Sequence, residues 1–326
     1  MRLGLAFVLL SGCFADFDRS RIPGEQNAIG FGAIAMPGMD RCDVTTLDDS
    51  GPGSLRACLV IGADVHFDVS GVIDLLSPLE VPSRVLVRGE SSPAGITLAV
   101  GGFPALELSS VQNVVVRGLR MEGPVDSGMI DVSDSSRVLL TSMTIRGGDV
   151  GVTVSNSNDL TVSHTLFSDL QDVGVKVQSG GNRRVTIARN VCHRTEDMVR
   201  VQGFVAEVQI VNNIGYGWAW FGGGIGALTL RTDMSGTPSE IDVVRNVILQ
   251  ASGTASEVTS VRLLDVSDVH ARDNRFEGNS DLPGDVGTPY TEIDHLTSAD
   301  AALDSAGVFP RSDEERGWLA TIRAAL

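Results

Sequence analysis

The phrase Val185-Thr-Ile-Ala-Arg-Asn-Val-Cys192 recurs along the chain, and this recurrence limits the possible folds more than any other feature. Seven copies begin at Val114, Val138, Leu160, Val185, Val208, Ile241 and Val269, with starts 24, 22, 25, 23, 33 and 28 residues apart. Repetition at periods of about 20–50 residues marks solenoids, propellers or arrays. Positions 1 and 3 are apolar in every copy and aliphatic residues dominate, so the phrase predicts a β-strand. A period near 23 is too short for a four-stranded propeller blade. It suits one turn of an all-β parallel solenoid, in which each coil holds two or three short strands.

Two further regularities follow the same period. From Val185 onward the sixth position is always Asn: Asn190, Asn213, Asn246 and Asn274. Such a column predicts a buried ladder in which each side chain bonds the backbone of the next coil and tolerates a left-handed bend. A second strand precedes each copy and reads ALELSS from Ala105, MIDVSD from Met129, GVTVSN from Gly151, GVKVQS from Gly174, MVRVQG from Met198 and ALTLRT from Ala227. Its second and fourth residues point inward, so its third points outward. The outward column is Glu107, Asp131, Thr153, Lys176, Arg200 and Thr229. Adjacent rungs lie about 4.8 Å apart, which sets Lys176, the one lysine of the chain, beside Arg200. Asp126, Asp149 and Asp172, each 23 residues apart, form a second stack slightly upstream. Stacked carboxylates repel unless a cation or protons intervene. They also cap turns through neighbouring N–H groups, and Lys176 and Arg200 could equally pair with Asp131 or Glu107 as solvated charge.

The 326 residues are 42% hydrophobic and only 5% aromatic, with 37 glycines, which suits a slim aliphatic core with tight turns. One solenoid then accounts for a length that would allow two domains. A net charge of −16 excludes nucleic acid as a partner. Residues 1–13 read as a targeting segment, with Arg2 before the apolar run Leu3–Leu10. Leu10-Ser11-Gly12-Cys13 resembles a bacterial lipobox, in which Cys13 would carry the lipid; the alternative is an ordinary cleaved signal peptide. The membrane is expected to be a partner only through that anchor, and the chain is expected to be exported, envelope-anchored or secreted. Export permits disulfides, and Cys42 and Cys58, 16 residues apart, are the plausible pair, leaving Cys192 buried and free. Residues 14–40 form a leader and residues 41–326 the solenoid. Residues 43–56 predict a strand running into a short capping helix, with Ser50 or Gly53 near its start. Ser312-x-x-Glu315 is a capping box before a short helix in the closing segment 301–326. That helix either seals the far end or packs on the side. Trp218 and Trp220 lie on a glycine-rich loop in the longest interval. They could stack on sugars or cover the core. His164 reads as a satisfied rim or core histidine.

Several stretches together resemble a known family. They are Asn27-Ala-Ile-Gly-Phe-Gly-Ala33, Val44 to Arg56 (VTTLDDSGPGSLR), Phe67 to Leu75 (FDVSGVIDL), Ser92 to Leu98 (SPAGITL), Val211-Asn-Asn213, and Ala306 to Arg311 (AGVFPR) with Asp313 and Arg316. This text resembles family 1 polysaccharide lyases, the pectate lyase-like enzymes. The resemblance implies a single-stranded right-handed parallel β-helix with terminal helical caps. It further implies Ca²⁺-assisted β-elimination on an acidic, pectate-like polysaccharide, with an arginine as base. Carried over by position, Asp126 and Asp149 match acids of the family's metal site, and Arg200 stands where the catalytic arginine is expected. Leu139-Leu-Thr-Ser142 replaces the family's Trp-Ile-Asp-His, Thr153 replaces a second acid, and Asp172 stands where the family has a lysine. The expected site therefore joins Ca²⁺ at Asp126, Asp149 and Asp172 with Arg200 and Lys176 as the catalytic pair. Asp131, Trp218 and Trp220 are the candidate substrate contacts. The chain is expected to act as a monomer. The leading expectation is an exported lyase of a uronate-containing glycan; the alternative is a degenerate β-helix that binds carbohydrate or a surface partner without cleaving it.

Overall fold

The computed structural model describes residues 28–178, 180–219, 226–231, 240–251, 259–264, 266, 268–282, 284–287 and 297–326. The targeting segment with Cys13, the first half of the leader and Trp220 lie outside the described residues. Within the described residues the strands form three parallel sheets of ten, nine and nine strands. Together they wind a right-handed parallel β-helix of about nine turns.

Each recurring phrase makes two strands, not one. In the Val185 copy, Asn182–Ala188 belongs to the first sheet and Val191–His193 to the second. The corner falls on the fifth residue, which is left-handed in every copy: Gly118, Ser142, His164, Arg189, Asn212, Arg245 and Asp273 have φ between 51 and 72°. The bend therefore sits one residue before the Asn column. Only one corner residue is a glycine, so composition hides it.

The Asn column itself forms the expected ladder. The Asn213 Oδ1 accepts from the backbone N–H and the Nδ2 of Asn190, both at 3.0 Å. Its Nδ2 donates to Ile187 O at 2.8 Å and to Asn246 Oδ1 at 3.0 Å. Asn246 relates to Asn274 in the same way. From Asn190 onward each coil thus has an amide that pairs backbone groups the corner strips of ladder partners. Between the sheets, columns such as Val138, Leu160, Val185, Val208 and Ile241 are fully buried.

Both ends of the described residues are tied to the solenoid. The first coil is closed by α1 (Leu55–Cys58), capped by the Ser54 hydroxyl, not by Ser50 or Gly53. Cys42 and Cys58 form a disulfide across it, and Cys192 is free and buried. The described part of the leader, residues 28–40, packs on the solenoid. Its 3-10 turn Phe31–Ile34 lies on the outer face of the first sheet. Phe31 N donates to Thr186 Oγ1 at 3.2 Å and Gly32 N to Thr161 Oγ1 at 2.9 Å. A Cβ on Gly32 would stand 2.3 Å from Val138 O, so only glycine fits. Helices α2 (Ala299–Ser305) and α3 (Asp313–Ala325) pack on the side of the second sheet, over Leu166, Val191 and Ile214. The predicted capping box of Ser312 and Glu315 is formed. Glu315 also reaches Arg120 at 3.0 Å and Thr144 at 2.6 Å, pinning the helix to two coils.

Candidate functional site

The third sheet carries the outward column in unbroken register. Glu107 pairs with Asp131, Asp131 with Thr153, Thr153 with Lys176, Lys176 with Arg200, and Arg200 with Thr229. Beside this column runs an open groove of about 580 Å³, whose lining includes Glu107, Asp126, Asp131, Asp149, Asp172 and Lys176. Residues distant in the sequence thus meet on one face because the strand period brings each to the same place on its coil.

The groove is lined by five carboxylates, with Lys176 as the one basic residue of its lining. Asp131 is fixed by the Thr153 hydroxyl and the Gly128 N–H. Burial, with Glu107 one rung away, raises its carboxyl above the usual range. Asp149 is also raised, first by burial and then by Asp126 and Asp172, while Lys176 acts in the opposite direction. Asp172 is the hub. Its Oδ1 accepts from Arg200 Nη2 at 2.7 Å, and its Oδ2 faces Lys176 Nζ at 3.6 Å. The structure therefore joins Asp126, Asp149, Asp172, Lys176 and Asp131 along one groove, with Arg200 bound to its hub.

Arg200 has a second carboxylate partner that the sequence reading missed. The Asp197 Oδ2 accepts from Arg200 Nε at 2.9 Å and from Nη2 at 2.6 Å. Asp197 is fully buried, and its Oδ1 has no well-formed hydrogen bond among the described residues. Burial pushes its carboxyl up to about 6 against the pull of Arg200. The spacing gave little signal: Asp197 follows Asp172 by 25 residues, two more than the Asp126, Asp149, Asp172 spacing, and pairs in register with Val173. Burial alone would lower the Arg200 pKa, but Asp197 and Asp172 outweigh it and the net shift is upward. Two carboxylates thus hold this guanidinium in its charged form, the reverse of what a proton-accepting arginine requires.

The donor set suits a hard cation in chemistry, since the groove offers carboxylate oxygens and Asp149 feels the like charges of Asp126 and Asp172, only partly offset by Lys176. Among the described residues, however, no three His, Cys, Asp or Glu side chains gather closely enough to hold a metal alone. A cation here would need further oxygens from a bound ligand.

One expectation falls away, that of Trp218 as a sugar contact, and one is met, that of His164 as a satisfied rim histidine. Trp218 is 1% exposed and belongs to the main core cluster with Ala219 and Ala227. Its indole is enclosed in the core, with Gly278 against its edge, so its faces cannot stack on a sugar. His164 lies at a corner of the first sheet, away from the groove, between Thr141 and Arg189 at 3.4 Å each.

Comparison with known proteins gives the same architecture. Residues 97–217 match the family described as the right handed beta helix region. A probable pectate lyase C of Aspergillus terreus is 30% identical over 274 residues, covering 80% of this chain and 61% of that protein. A second probable pectate lyase C, of Emericella nidulans, is 30% identical over 214 residues, covering 62% and 48%. The chain thus spans only 61% and 48% of the length of these two relatives. Among solved structures, the cedar pollen allergen Jun a 1 superposes with a TM-score of 0.64 at 18% identity, covering 86% of this chain and 92% of that one. A pectate lyase of Bacillus sp. N165, solved in complex with trigalacturonate, gives 0.55 at 14% identity, covering 86% and 98%. The chain is a right-handed parallel β-helix whose named sequence relatives are probable pectate lyases and whose fold is shared with solved pectate lyases.

Proposed function

We propose that the chain is an exported, pectate lyase-like polysaccharide lyase that cleaves a uronate-containing glycan laid along the groove of the third sheet. One observation carries the reading: Lys176 and Arg200 occupy neighbouring rungs and share Asp172 in that groove. In this reading Arg200 remains charged and neutralises the negative charge that grows on the uronate as its C5 proton leaves. Lys176 is the remaining basic group of the groove; its amine takes that proton when it is in the neutral form, which a lysine reaches more readily than an arginine whose free pKa exceeds about 12. The electron pair released at C5 forms the C4–C5 double bond and expels the glycosidic oxygen from C4. Asp126, Asp149 and Asp172 are read as Ca²⁺ ligands, and Ca²⁺ when bound supplies positive charge beside the uronate carboxylate.

The decisive assay follows the ultraviolet absorbance of the unsaturated product on several polyuronates, with and without Ca²⁺. The reading requires product with the intact chain and a loss of at least about 100-fold in kcat for Arg200→Ala. Absorbance that never rises on any polyuronate, or an Arg200→Ala variant as active as the parent, refutes it. The second reading, carbohydrate binding without cleavage, is favoured by the replacement of Trp-Ile-Asp-His by Leu139-Leu-Thr-Ser142. Tight oligouronate binding with no product would establish it. Export with lipid attachment at Cys13 is part of the same reading. It requires Cys13→Ser to move the protein out of the membrane fraction.

A further inference from the structure

We propose that Asp197 is a positioning residue for Arg200 and does in this chain what no other side chain of the groove can do: fix the guanidinium from behind while leaving its front free. The proposal rests on the lyase reading above and extends it to a residue that does not line the groove.

Residues three apart in an extended strand point to opposite faces. Asp197 can nevertheless reach Arg200 because it opens the strand Asp197–Gln202, next to the bend at Glu196. Its own N–H is tied to Asp172 O at 2.7 Å, which sets its depth relative to the preceding coil. From there one oxygen, Oδ2, accepts both Nε and Nη2 of Arg200. Asp172 takes Nη2 from the groove side. Nη1 is left as the guanidinium nitrogen with no partner among the described residues. A two-point grip on Nε and Nη2 fixes the plane and rotation of the group, because a guanidinium presents its donors in a rigid fork. The Arg200 side chain is 12% exposed, so it can meet a ligand only through the small part the grip leaves uncovered.

The arrangement is expensive. A carboxylate with no exposed surface keeps one oxygen, Oδ1, without a well-formed hydrogen bond among the described residues, although the Gly226 N–H faces the carboxylate. Buried polar atoms are nearly always satisfied, and an exception requires an explanation. A purely structural role offers none, since an apolar residue would fill the same volume without that penalty. Orienting and charging Arg200 does.

The test is a double-mutant cycle between Asp197→Asn and Arg200→Ala, read on kcat and, separately, on the affinity of an oligogalacturonate measured by calorimetry. Asn keeps the shape and removes the charge. Acting through Arg200, Asp197→Asn should lower kcat by about 100-fold in the parent, the scale of a misplaced catalytic group, yet by less than about threefold when Arg200 is already absent. Affinity should show the same non-additivity, while the unfolding midpoint in denaturant stays close to the parent's. Equal losses in both backgrounds, or an unaltered parent, overturn the proposal. If the protein binds the oligomer without producing unsaturated ends, the lyase reading fails and the cycle on affinity alone judges Asp197. If no oligomer binds at all, both fall.

Discussion

Asn213→Ala tests the ladder that holds the coils together. The Asn213 side chain takes part in four hydrogen bonds: two accepted from Asn190, one donated to Ile187 O and one to Asn246 Oδ1. All lie in the fully buried interior. A net value of about 1 kcal/mol for each gives a loss of about 4 kcal/mol, with the Asn190 N–H left as a buried orphan. Asn274→Ala is the matched control. It removes three comparable contacts at the last rung, where Asn274 is half-buried and water can replace them, so the loss should be about 1 kcal/mol. A solenoid need not unfold in one step, so a single transition curve can mislead. The proper assay is native-state hydrogen exchange under increasing denaturant, resolved for amides of the coils around Asn190, Asn213 and Asn246. Exchange in those coils should quicken sharply in Asn213→Ala and hardly at all in Asn274→Ala. Equal effects, or a loss below about 1 kcal/mol for Asn213→Ala, would show that the column is a passive filler and that the coils are held by aliphatic packing alone.

The remaining expectations concern the two ends of the chain and the groove. His193 is stacked between Tyr216 and Trp318, with ring centroids 6.1 and 5.5 Å away, and burial lowers its pKa to about 4. It therefore stays neutral in the folded state while the unfolded chain takes up a proton near pH 6.5, so stability is complete above that pH and declines as pH falls from about 6.5 toward 4. Unfolding midpoints of the parent minus those of His193→Gln should show this decline, and a flat difference would contradict it. Reducing the Cys42–Cys58 bridge, or replacing both residues by Ser, should cost about 3 kcal/mol for a loop of 16 residues, seen as a lower thermal midpoint with the first coil opening earliest. Calcium should bind the free protein only weakly and bind far more tightly with an oligouronate present, because the described carboxylates do not close a site by themselves; calorimetry showing identical affinity in both states would refute this.

Much of the fold was legible because a parallel solenoid turns sequence period into spatial position. The outward column from Glu107 to Thr229, the Asn ladder and the Cys42–Cys58 pair all follow from spacing and register alone. What escaped depends on conformation or on depth. The phrase was read as one strand because its alternation is continuous in text, while the corner at Arg189 or His164 is set by backbone φ that those residue types do not advertise. Trp218 could not be assigned because a glycine-rich loop leaves its direction open, and only its enclosure in the core decides it. Asp197 was passed over because it stands at a strand start in register with Val173, a position the alternation marks as core. The docking of the leader was invisible for a different reason: Gly32 meets Thr161, a contact across 129 residues that no local pattern encodes.

That leader has a consequence for assembly. The seat it occupies is built from Leu86, Val115, Leu139, Thr161 and Thr186, so it does not exist until those coils have been wound. This turn therefore emerges during synthesis before the coils it docks on and settles after them, waiting on a partner 155 residues downstream. Until it arrives, a stripe of aliphatic side chains along the outside of the first sheet stays bare and adhesive. Closing that stripe with this turn gives the chain an internal signal that winding has reached at least the coil of Thr186.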